Sequence, residues 1–292
     1  MNIQILLVYW PQFMRINCFI DGREVAGNRA KISVFDNSLF YADGLFETLL
    51  AIDKRVVFLD GHLKRLEKGA RLIGLRLPVS LPTLKRWIIS AAKKNTAPIK
   101  KIRLTVTAGE TAFWAGKATK PKVIIIVTEY TLPERTYRLT VSPFRIIENS
   151  PFRNVKTLSF VIEMTSRKRA YKSKYDDAIL VNRAGFVAEA TSANIFWVKK
   201  GKLYTPPLNA GCLEGMTRRH ILALARKNGM PVYEKNIRLE DFLKGDEIFI
   251  TSSLKLILPV TTVKSDKIFR FQVGKVTARL QELLKKLIFT GG

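Results

Sequence analysis

Turn signals divide the apolar residues of this chain into many short runs. The longest uninterrupted aliphatic run has five residues, 123–127, whereas a helix that crosses a bilayer needs about 20 apolar residues. Hydrophobic residues make up 47% of the sequence and charged residues 25%, a balance that excludes a disordered or collagen-like chain. Since a domain has roughly 150 residues, the 292 residues predict about two globular domains and no membrane-spanning segment.

The first part of the chain is predicted to contain strands joined by tight turns, followed by helices. Asp21-Gly22 is a hairpin signal between two short runs. Between positions 59 and 73, apolar residues recur at intervals of four and three, which places them on one face of a helix. The predicted strands are 16–20, 23–26, 45–52, 55–58, 100–107 and 122–129, and the predicted helices are 59–73 and 81–94. We therefore predict a small α+β domain over residues 1–130, in which residues 1–10 form an extra or frayed strand.

The second part of the chain is predicted to be barrel-like. Residues 128–133 (TEYTLP) lose periodicity and are interpreted as a linker between domains. Beyond them, short strands with turn signals follow one another closely, which is typical of a barrel. The predicted strands are 138–144, 178–182, 186–190, 195–198 and 246–251, and the predicted helices are 158–171, 217–227 and a C-terminal helix. Residues 131–292 are thus predicted to form the larger domain of an α+β protein.

Cysteine and histidine usage limits the chemistry that this chain can perform. Cys18 and Cys212 form neither a CxxC motif nor a disulfide framework, which predicts a reduced, cytoplasmic setting. His62 and His220 are the only two histidines, so a multi-histidine metal site is not expected.

The charge balance leaves two kinds of partner open. The formal net charge is +26, and between positions 61 and 122 there are 15 basic and two acidic residues. Such an excess attracts anions, which include nucleic acid and acidic metabolites. The sequence has no RGG tract, basic tail or zinc knuckle. We therefore favour an enzyme with a basic surface and keep a nucleic-acid-binding protein as an alternative.

Three charged residues stand in positions that could support chemistry, and each also has an ordinary explanation. Arg65 lies on a flank of the predicted helix, where it could bind an oxyanion or simply cover apolar surface with its stem. Lys156 precedes a predicted helix in an apolar stretch; a partly desolvated lysine can form an imine with an aldehyde, but many lysines are merely solvated. Glu189 interrupts an apolar strand, so it either pairs with a cation or faces water.

Two helix or turn starts carry hydroxyl groups and free backbone N–H groups. Thr217 follows Gly215 and Met216 at a predicted helix start, and Ser252 and Ser253 follow a predicted strand. Such groups can form an anion pocket. They can also cap a helix without any ligand, which is the commoner case.

Six motifs occur together in the order and spacing of a known family. They are 40–48 (FYADGLFET), 62–66 (HLKRL), Lys156, 189–196 (EATSANIF), 203–207 (LYTPP) and 215–218 (GMTR). The combination resembles the class IV pyridoxal-phosphate enzymes, which include branched-chain aminotransferases, D-amino-acid aminotransferases and aminodeoxychorismate lyases. The resemblance spans residues 15–265. It implies fold type IV, with a small α/β sandwich domain followed by a larger pseudo-barrel domain that binds the cofactor.

The resemblance assigns a role to each candidate residue. It implies pyridoxal 5′-phosphate as the cofactor, held by Lys156 as a Schiff base, with the freed lysine then moving a proton. Glu189 would pair with the pyridine nitrogen, and Arg65 would bind the phosphate. Six more residues are assigned to the phosphate or to the substrate, namely Met216, Thr217, Ser252 and Ser253 for the first and Tyr41 together with Phe46 for the second. A homodimer is also implied, because a loop of the second subunit completes the site in this family.

The residue that binds the substrate carboxylate is left open by departures from the family pattern. The stretch 107–114 (TAGETAFW) lacks the arginines of the lyase and D-amino-acid branches, and Arg103-Leu104 replaces the Arg-Pro pair of the branched-chain branch. Arg103 or Lys117 is a candidate, and Phe113 with Trp114 could form an apolar gate.

Three functions follow from these observations. The first is transamination between an α-amino acid, branched-chain or otherwise apolar, and a 2-oxo acid. The second is an aminodeoxychorismate lyase that releases pyruvate and 4-aminobenzoate for folate synthesis. The third is a protein without enzymatic activity that binds nucleic acid.

Overall fold

The computed structural model describes residues 16–111 and 119–290. The predicted strand at residues 1–10, Lys117 and the predicted gate at Phe113 and Trp114 lie outside the described residues. Nine elements make up the first part, which are β1 Ile16–Ile20, β2 Arg23–Val25, α1 Asn37–Tyr41, β3 Gly44–Ile52, β4 Arg55–Val56, α2 Leu59–Leu72, α3 Leu81–Lys94, β5 Ile99–Thr107 and β6 Val123–Glu129.

The second part contains nine strands and four helices within the described residues. They are β7 Tyr137–Ile146, α4 Val161–Lys172, β8 Asp177–Asn182, β9 Val187–Ala190, β10 Asn194–Lys199, β11 Lys202–Thr205, α5 Met216–Lys227, β12 Val232–Glu234, α6 Leu239–Phe242, β13 Glu247–Ser252, β14 Leu256–Lys264, β15 Ile268–Arg270 and α7 Lys275–Thr290. None of the helices in the described ranges is both long and apolar enough to cross a membrane.

The first sheet is six-stranded and antiparallel, in the order β2-β1-β6-β5-β3-β4. Alternate residues of β3 and β5, such as Leu49 and Ile102, point into one core with the apolar faces of α2 and α3. The Ser80 hydroxyl accepts a hydrogen bond from the Thr83 backbone N–H, which caps α3. Phe46 and Arg103 lie on the opposite face of the sheet, away from these helices, because they alternate with the core residues.

The second sheet has nine strands and curls back on itself. Its order is β12-β11-β10-β13-β14-β7-β8-β9, with β15 paired to β14. An isolated bridge between Ala190 and Ala193 connects β9, at one end, to the start of β10. Strand β10 is buried on both faces, because Ile195 points into the core inside the curl while Phe196 packs toward α5 and α7.

The architecture confirms the predicted α+β class and the barrel-like second sheet. Helix α3 has the predicted bounds, but α4 begins at Val161 rather than at residue 158. The Leu158 N–H donates to the Gly44 carbonyl oxygen, so residues 156–158 pair with β3 and cannot yet be helical. Strand β6 ends at Glu129 and β7 begins at Tyr137; the domain boundary at residue 130 stays a prediction.

Candidate active site

Lys156 lies where the two sheets meet. The Phe46 N–H donates to the Lys156 carbonyl oxygen at 2.9 Å, and Leu45 forms an isolated bridge with Thr157. The backbone of this segment is therefore fixed against β3, and the Lys156 side chain projects from a position that β3 determines. Its Nζ lies 4.3 Å from the ring centroid of Phe46 and 5.7 Å from that of Phe160.

The surroundings of Lys156 favour its uncharged form. Burial lowers the pKa of Lys156 to about 8, and the nearby positive charge of Arg65 lowers it further. Glu47 and Glu189 act in the opposite direction. A lysine with such a pKa has a substantial uncharged fraction near neutral pH, which is what a nucleophilic amine requires.

Arg65 belongs to a buried cluster of charged residues next to Lys156. Its Nε and Nη2 donate to the two carboxylate oxygens of Glu47 at 2.8 and 2.6 Å, and the ring nitrogen Nδ1 of His62 lies 2.7 Å from Oε2 of the same carboxylate. Burial alone would raise the pKa of Glu47, but Arg65 and His62 lower it to about 2. Glu47 therefore stays ionised and holds Arg65 in a two-point geometry.

A second contact connects this cluster to the barrel-like sheet. Arg65 Nη1 donates to the backbone carbonyl of Glu214 at 2.8 Å, immediately before the start of α5. The site is close-packed here, because a Cβ added at Gly61 would lie 2.8 Å from Met216 Sδ. The starts of α2 and α5 are therefore adjacent, with Arg65 between them.

The start of α5 offers hydrogen-bond donors to an anion. Gly215 occupies the N-cap position and provides no side chain to cap the helix. The hydroxyl oxygens of Thr217 and Thr251 are buried and have no hydrogen-bond partner among the described residues. Ser253 lies with its Oγ 3.3 Å from His62 Nε2, whereas Ser252 Oγ accepts from the Lys255 N–H at 3.2 Å. Buried hydroxyls without partners are costly unless a ligand binds them.

Gly215 leads to a stability prediction. A Cβ at this position would lie 1.9 Å from Asn194 Oδ1, so in Gly215→Ala the Asn194 side chain must move and lose its 2.7 Å hydrogen bond to the Leu213 carbonyl oxygen. We expect the free energy of unfolding to fall by about 1–3 kcal/mol, measured by urea denaturation. Gly27→Ala is the matched control, since nothing lies within 4 Å of a Cβ there; equal unfolding midpoints for the two variants would contradict this prediction.

Glu189 is buried rather than facing water. Arg153 Nη2 donates to Glu189 Oε1 at 2.9 Å, and the Leu213 N–H donates to Oε2 at 3.1 Å. Arg153 also binds the buried Glu163 and donates from Nε to the Gly211 carbonyl oxygen. Burial raises the pKa of Glu189 to about 7, although Arg153 opposes this rise. This carboxylate would be stabilised by a further cation placed against it.

Of the three predicted substrate residues, two lie beside Lys156. The guanidinium carbon of Arg103 is 3.5 Å from the Phe46 ring centroid, and Arg103 makes one weak hydrogen bond, 3.4 Å to Thr105 Oγ1, among the described residues. Burial lowers the pKa of Arg103 to about 10. Tyr41, in contrast, is 57% exposed, and its ring packs on that of Phe40.

Four residues of this site were absent from the sequence prediction of site residues. Glu47 and His62 lie inside motifs that were recognised, so a carboxylate in the apolar run 45–52 was a usable signal. Arg153 precedes Lys156 by three positions, but nothing in the sequence indicates that it contacts Glu189. Thr251 ends an apolar strand and carries no local signal.

A cavity of about 890 Å³ opens on another side of the same helix starts. Gly61 and Met216 line it, together with Phe58 and His220, whose rings stack at a centroid distance of 3.6 Å. Lys156 does not line this cavity. Within the described residues, no group of three or more His, Cys, Asp or Glu side chains could hold a metal ion.

Comparison with known proteins identifies the family. The family model described as amino-transferase class IV matches residues 44–263. The chain belongs to the class IV aminotransferase family. A putative branched-chain-amino-acid aminotransferase of Methanocaldococcus jannaschii is 33% identical over 274 residues, which cover 92% of this chain and 95% of that protein. An aminodeoxychorismate lyase of Bacillus subtilis is 29% identical over 279 residues, which cover 92% of this chain and 94% of the lyase.

Solved structures of class IV aminotransferases have the same fold. The branched-chain aminotransferase of Thermoproteus uzoniensis, crystallised with norvaline, superposes with a TM-score of 0.88 at 27% identity and covers 94% of this chain and 95% of its own. Another branched-chain amino acid aminotransferase, from an organism abbreviated T.th., was solved with pyridoxamine 5′-phosphate; its TM-score is 0.86 at 23% identity, with 93% of each chain covered. Enzymes of this class use pyridoxal 5′-phosphate.

The residues of this chain fit that cofactor. Thr217 and Thr251 present buried hydroxyls without partners beside the uncapped start of α5, which suits a phosphate group. Lys156 has a lowered pKa, which suits an amine that reacts with an aldehyde, and the raised pKa of Glu189 is what a cationic ring nitrogen would reverse.

Proposed function

We propose that this enzyme transfers an amino group between an α-amino acid with an apolar, branched-chain side chain and a 2-oxo acid, with Lys156 as the Schiff-base lysine. The observation that carries the proposal is the position of Lys156 beside both Arg65 and Glu189, each of which affects its pKa. These are the three groups that must act on the aldehyde, the phosphate and the ring nitrogen of one cofactor molecule.

Each of the three groups has a distinct task. When it is bound, pyridoxal 5′-phosphate withdraws electrons from the substrate Cα. Lys156 Nζ provides the covalent attachment and, once free, carries the proton to and from Cα. Glu189, held by Arg153, keeps the ring nitrogen protonated, and Arg65, held by Glu47, binds the phosphate. Met216, Thr217, Ser252 and Ser253 are proposed to complete the phosphate site.

Apolar and basic groups near Lys156 define the substrate side. The rings of Phe46 and Phe160 pack edge to face with their centroids 5.7 Å apart, which gives an apolar wall for an aliphatic side chain. Arg103 is proposed to bind the substrate carboxylate, because it is partly buried next to Phe46 and makes only one weak hydrogen bond among the described residues. Two relatives with branched-chain aminotransferase names support this substrate class.

The role of Arg103 predicts a selective effect on substrate binding. In Arg103→Leu the KM for the amino acid should rise by about 10- to 100-fold, since a hydrogen bond to a charged group contributes ~1.5–3 kcal/mol. Steady-state kinetics with leucine or valine would measure this. Arg86→Leu, at an exposed position of α3, should leave KM unchanged. A fall in kcat with an unchanged KM would argue against carboxylate binding by Arg103.

An exposed apolar segment supports a homodimer. Between positions 34 and 41, five apolar or aromatic side chains are between 57% and 67% exposed, namely Val34, Phe35, Leu39, Phe40 and Tyr41. An apolar concentration of this kind marks an interaction surface. We propose that the segment packs on a second copy of the chain, which would also account for the exposure of Tyr41.

The dimer can be tested by a single charge. Phe40→Asp should give a monomer in analytical ultracentrifugation, because a carboxylate cannot be buried in an apolar interface without a partner, while the parent chain sediments as a dimer. Ile268→Asp replaces a residue that is 49% exposed on β15 and should remain dimeric. A parent chain that sediments as a monomer would refute the proposed dimer.

An absorbance experiment tests the proposed reaction. Protein loaded with pyridoxal 5′-phosphate should absorb in the visible range and lose this absorbance when L-leucine, L-isoleucine or L-valine converts the cofactor to its amine form. Addition of a 2-oxo acid should restore it. If no member of a panel of L- and D-amino acids converts the cofactor, the aminotransferase proposal is wrong.

A lyase is the second candidate, favoured by the similarity to the Bacillus subtilis aminodeoxychorismate lyase over 94% of that protein's length. Release of pyruvate and 4-aminobenzoate from aminodeoxychorismate, without conversion of apolar amino acids, would establish it. Nucleic-acid binding stays an alternative prediction from the charge; it requires affinity that falls steeply with salt. A cytoplasmic setting also stays a prediction, consistent with two buried cysteines that form no disulfide with each other.

A further inference from the structure

His62 connects the Glu47 carboxylate to the Ser253 hydroxyl. The Nδ1 atom of His62 lies 2.7 Å from Glu47 Oε2, and its Nε2 atom lies 3.3 Å from Ser253 Oγ. Glu47 and His62 are each only 1% exposed, so water cannot replace either contact. These three residues come from β3, α2 and the turn after β13.

The hydrogen-bond directions in this chain follow from the charge of Glu47. An ionised carboxylate only accepts hydrogen bonds, so His62 Nδ1 carries a proton and donates it to Glu47. In neutral His62, Nε2 is then an acceptor, and the hydroxyl proton of Ser253 must point at it. In this state Ser253 cannot donate that proton to any other group.

This arrangement conflicts with a phosphate group at Ser253. A phosphate dianion accepts hydrogen bonds, and the lone pairs of Ser253 would face it with no proton between them. The conflict disappears if His62 Nε2 also carries a proton, because Nε2 then donates to Ser253 Oγ and frees the hydroxyl proton for the phosphate.

We propose that His62 is a positioning residue that takes up one proton from solvent when a phosphate group binds, so that the Ser253 hydroxyl turns from His62 to the phosphate. The inference rests on the proposed cofactor site. No covalent bond changes apart from protonation; one proton moves from solvent to Nε2, and the Ser253 O–H exchanges one acceptor for another.

The charged groups around His62 are consistent with a group that responds to an added anion. Burial lowers the pKa of His62 in the structure, Glu47 raises it, and Arg65 and Lys156 lower it. His220 of α5 is a further titratable neighbour. The two negative charges of a bound phosphate would act against the two cations and favour protonated His62.

Histidine-selective ¹⁵N labelling tests this directly, because the chain has only two histidines and His220→Gln assigns the remaining signal to His62. At pH 7.5 the ring nitrogens of the cofactor-free protein should show the neutral, Nδ1-protonated form. Saturation with pyridoxamine 5′-phosphate, which does not attach covalently to Lys156, should produce the doubly protonated form. A bound complex in which His62 stays neutral would overturn the inference.

Two serine variants separate this role from a merely structural one. Ser253→Ala should abolish the protonation of His62 upon binding, whereas Ser252→Ala should preserve it, since Ser252 Oγ interacts with the Lys255 N–H instead. The affinity for pyridoxamine 5′-phosphate should also fall with rising pH, by up to about tenfold per pH unit between the pKa values of free and bound His62. Ser253→Ala should flatten this pH profile; an unchanged profile would contradict the inference.

Binding and protonation are read out separately. If equilibrium dialysis shows that pyridoxamine 5′-phosphate does not bind, both the proposed function and this inference fail. If it binds and His62 remains neutral, only this inference fails.

Discussion

Lys156→Arg should reduce the transamination rate by at least about 10³-fold. The variant keeps the positive charge and approximate length of the side chain, but a guanidinium stays protonated at any physiological pH and cannot attack an aldehyde or carry the Cα proton. The expected result is a stably folded protein with no turnover and no visible absorbance of attached cofactor. Single-turnover kinetics with an apolar amino acid would measure the loss.

Covalent labelling provides the matched control for this prediction. Borohydride reduction of the loaded parent protein, followed by peptide mapping, should place a pyridoxyl label on Lys156. Lys168→Arg alters an exposed lysine on the neighbouring helix α4 and should retain both label and turnover. A label found on another lysine, or activity in Lys156→Arg above a few per cent of the parent, would refute the assignment.

The second large effect is expected from Glu47→Gln. This change leaves the buried guanidinium of Arg65 without its carboxylate, whose oxygens lie 2.8 and 2.6 Å from its nitrogens. Removal of one partner from a buried ion pair costs about 3–5 kcal/mol of unfolding free energy. Urea denaturation at pH 7 should reveal it. Glu67→Gln breaks an exposed pair with Arg71 on α2 and should cost less than about 1 kcal/mol.

Acid titration gives an independent test of Glu47. Its pKa in the folded protein is about 2 against an ordinary value of 4.5, so the folded state binds this proton less readily than the unfolded chain does. The resulting stabilisation is fully present above pH 4.5 and disappears as the pH falls toward 2. Stability should therefore decline less between these pH values in Glu47→Gln than in the parent. Equal declines would contradict the assignment of that pKa.

Periodicity predicted the elements better than it predicted their contacts. The intervals of four and three residues correctly placed the apolar face of α2, because a helix has one geometry whatever it packs on. On the same spacing Arg65 was best explained as an ordinary arginine covering apolar surface. The structure instead buries it against Glu47, 18 positions earlier in the chain. No local pattern encodes which strand faces a helix, so only the family resemblance assigned Arg65 a function.

Lys156 and Glu189 illustrate the same limit. Both were candidates because a charged residue in an apolar stretch needs an explanation. The explanations, however, are long-range contacts, namely the backbone pairing of residues 156–158 with β3 and the ion pair between Glu189 and Arg153. The later start of α4 has the same origin, since pairing with Gly44 overrides a sequence that could have been helical from residue 158.

The hydrogen bond from Arg65 to the Glu214 carbonyl has a thermodynamic consequence. It joins a helix that packs on the six-stranded sheet to the residues just before α5, which packs on the nine-stranded sheet. A phosphorylated ligand that touches Arg65 and the first turn of α5 together would bridge both sheets. Occupancy of the site would then oppose any separation of the two halves by mass action, so the ligand that enables the chemistry would also act as a fastener for the whole polypeptide.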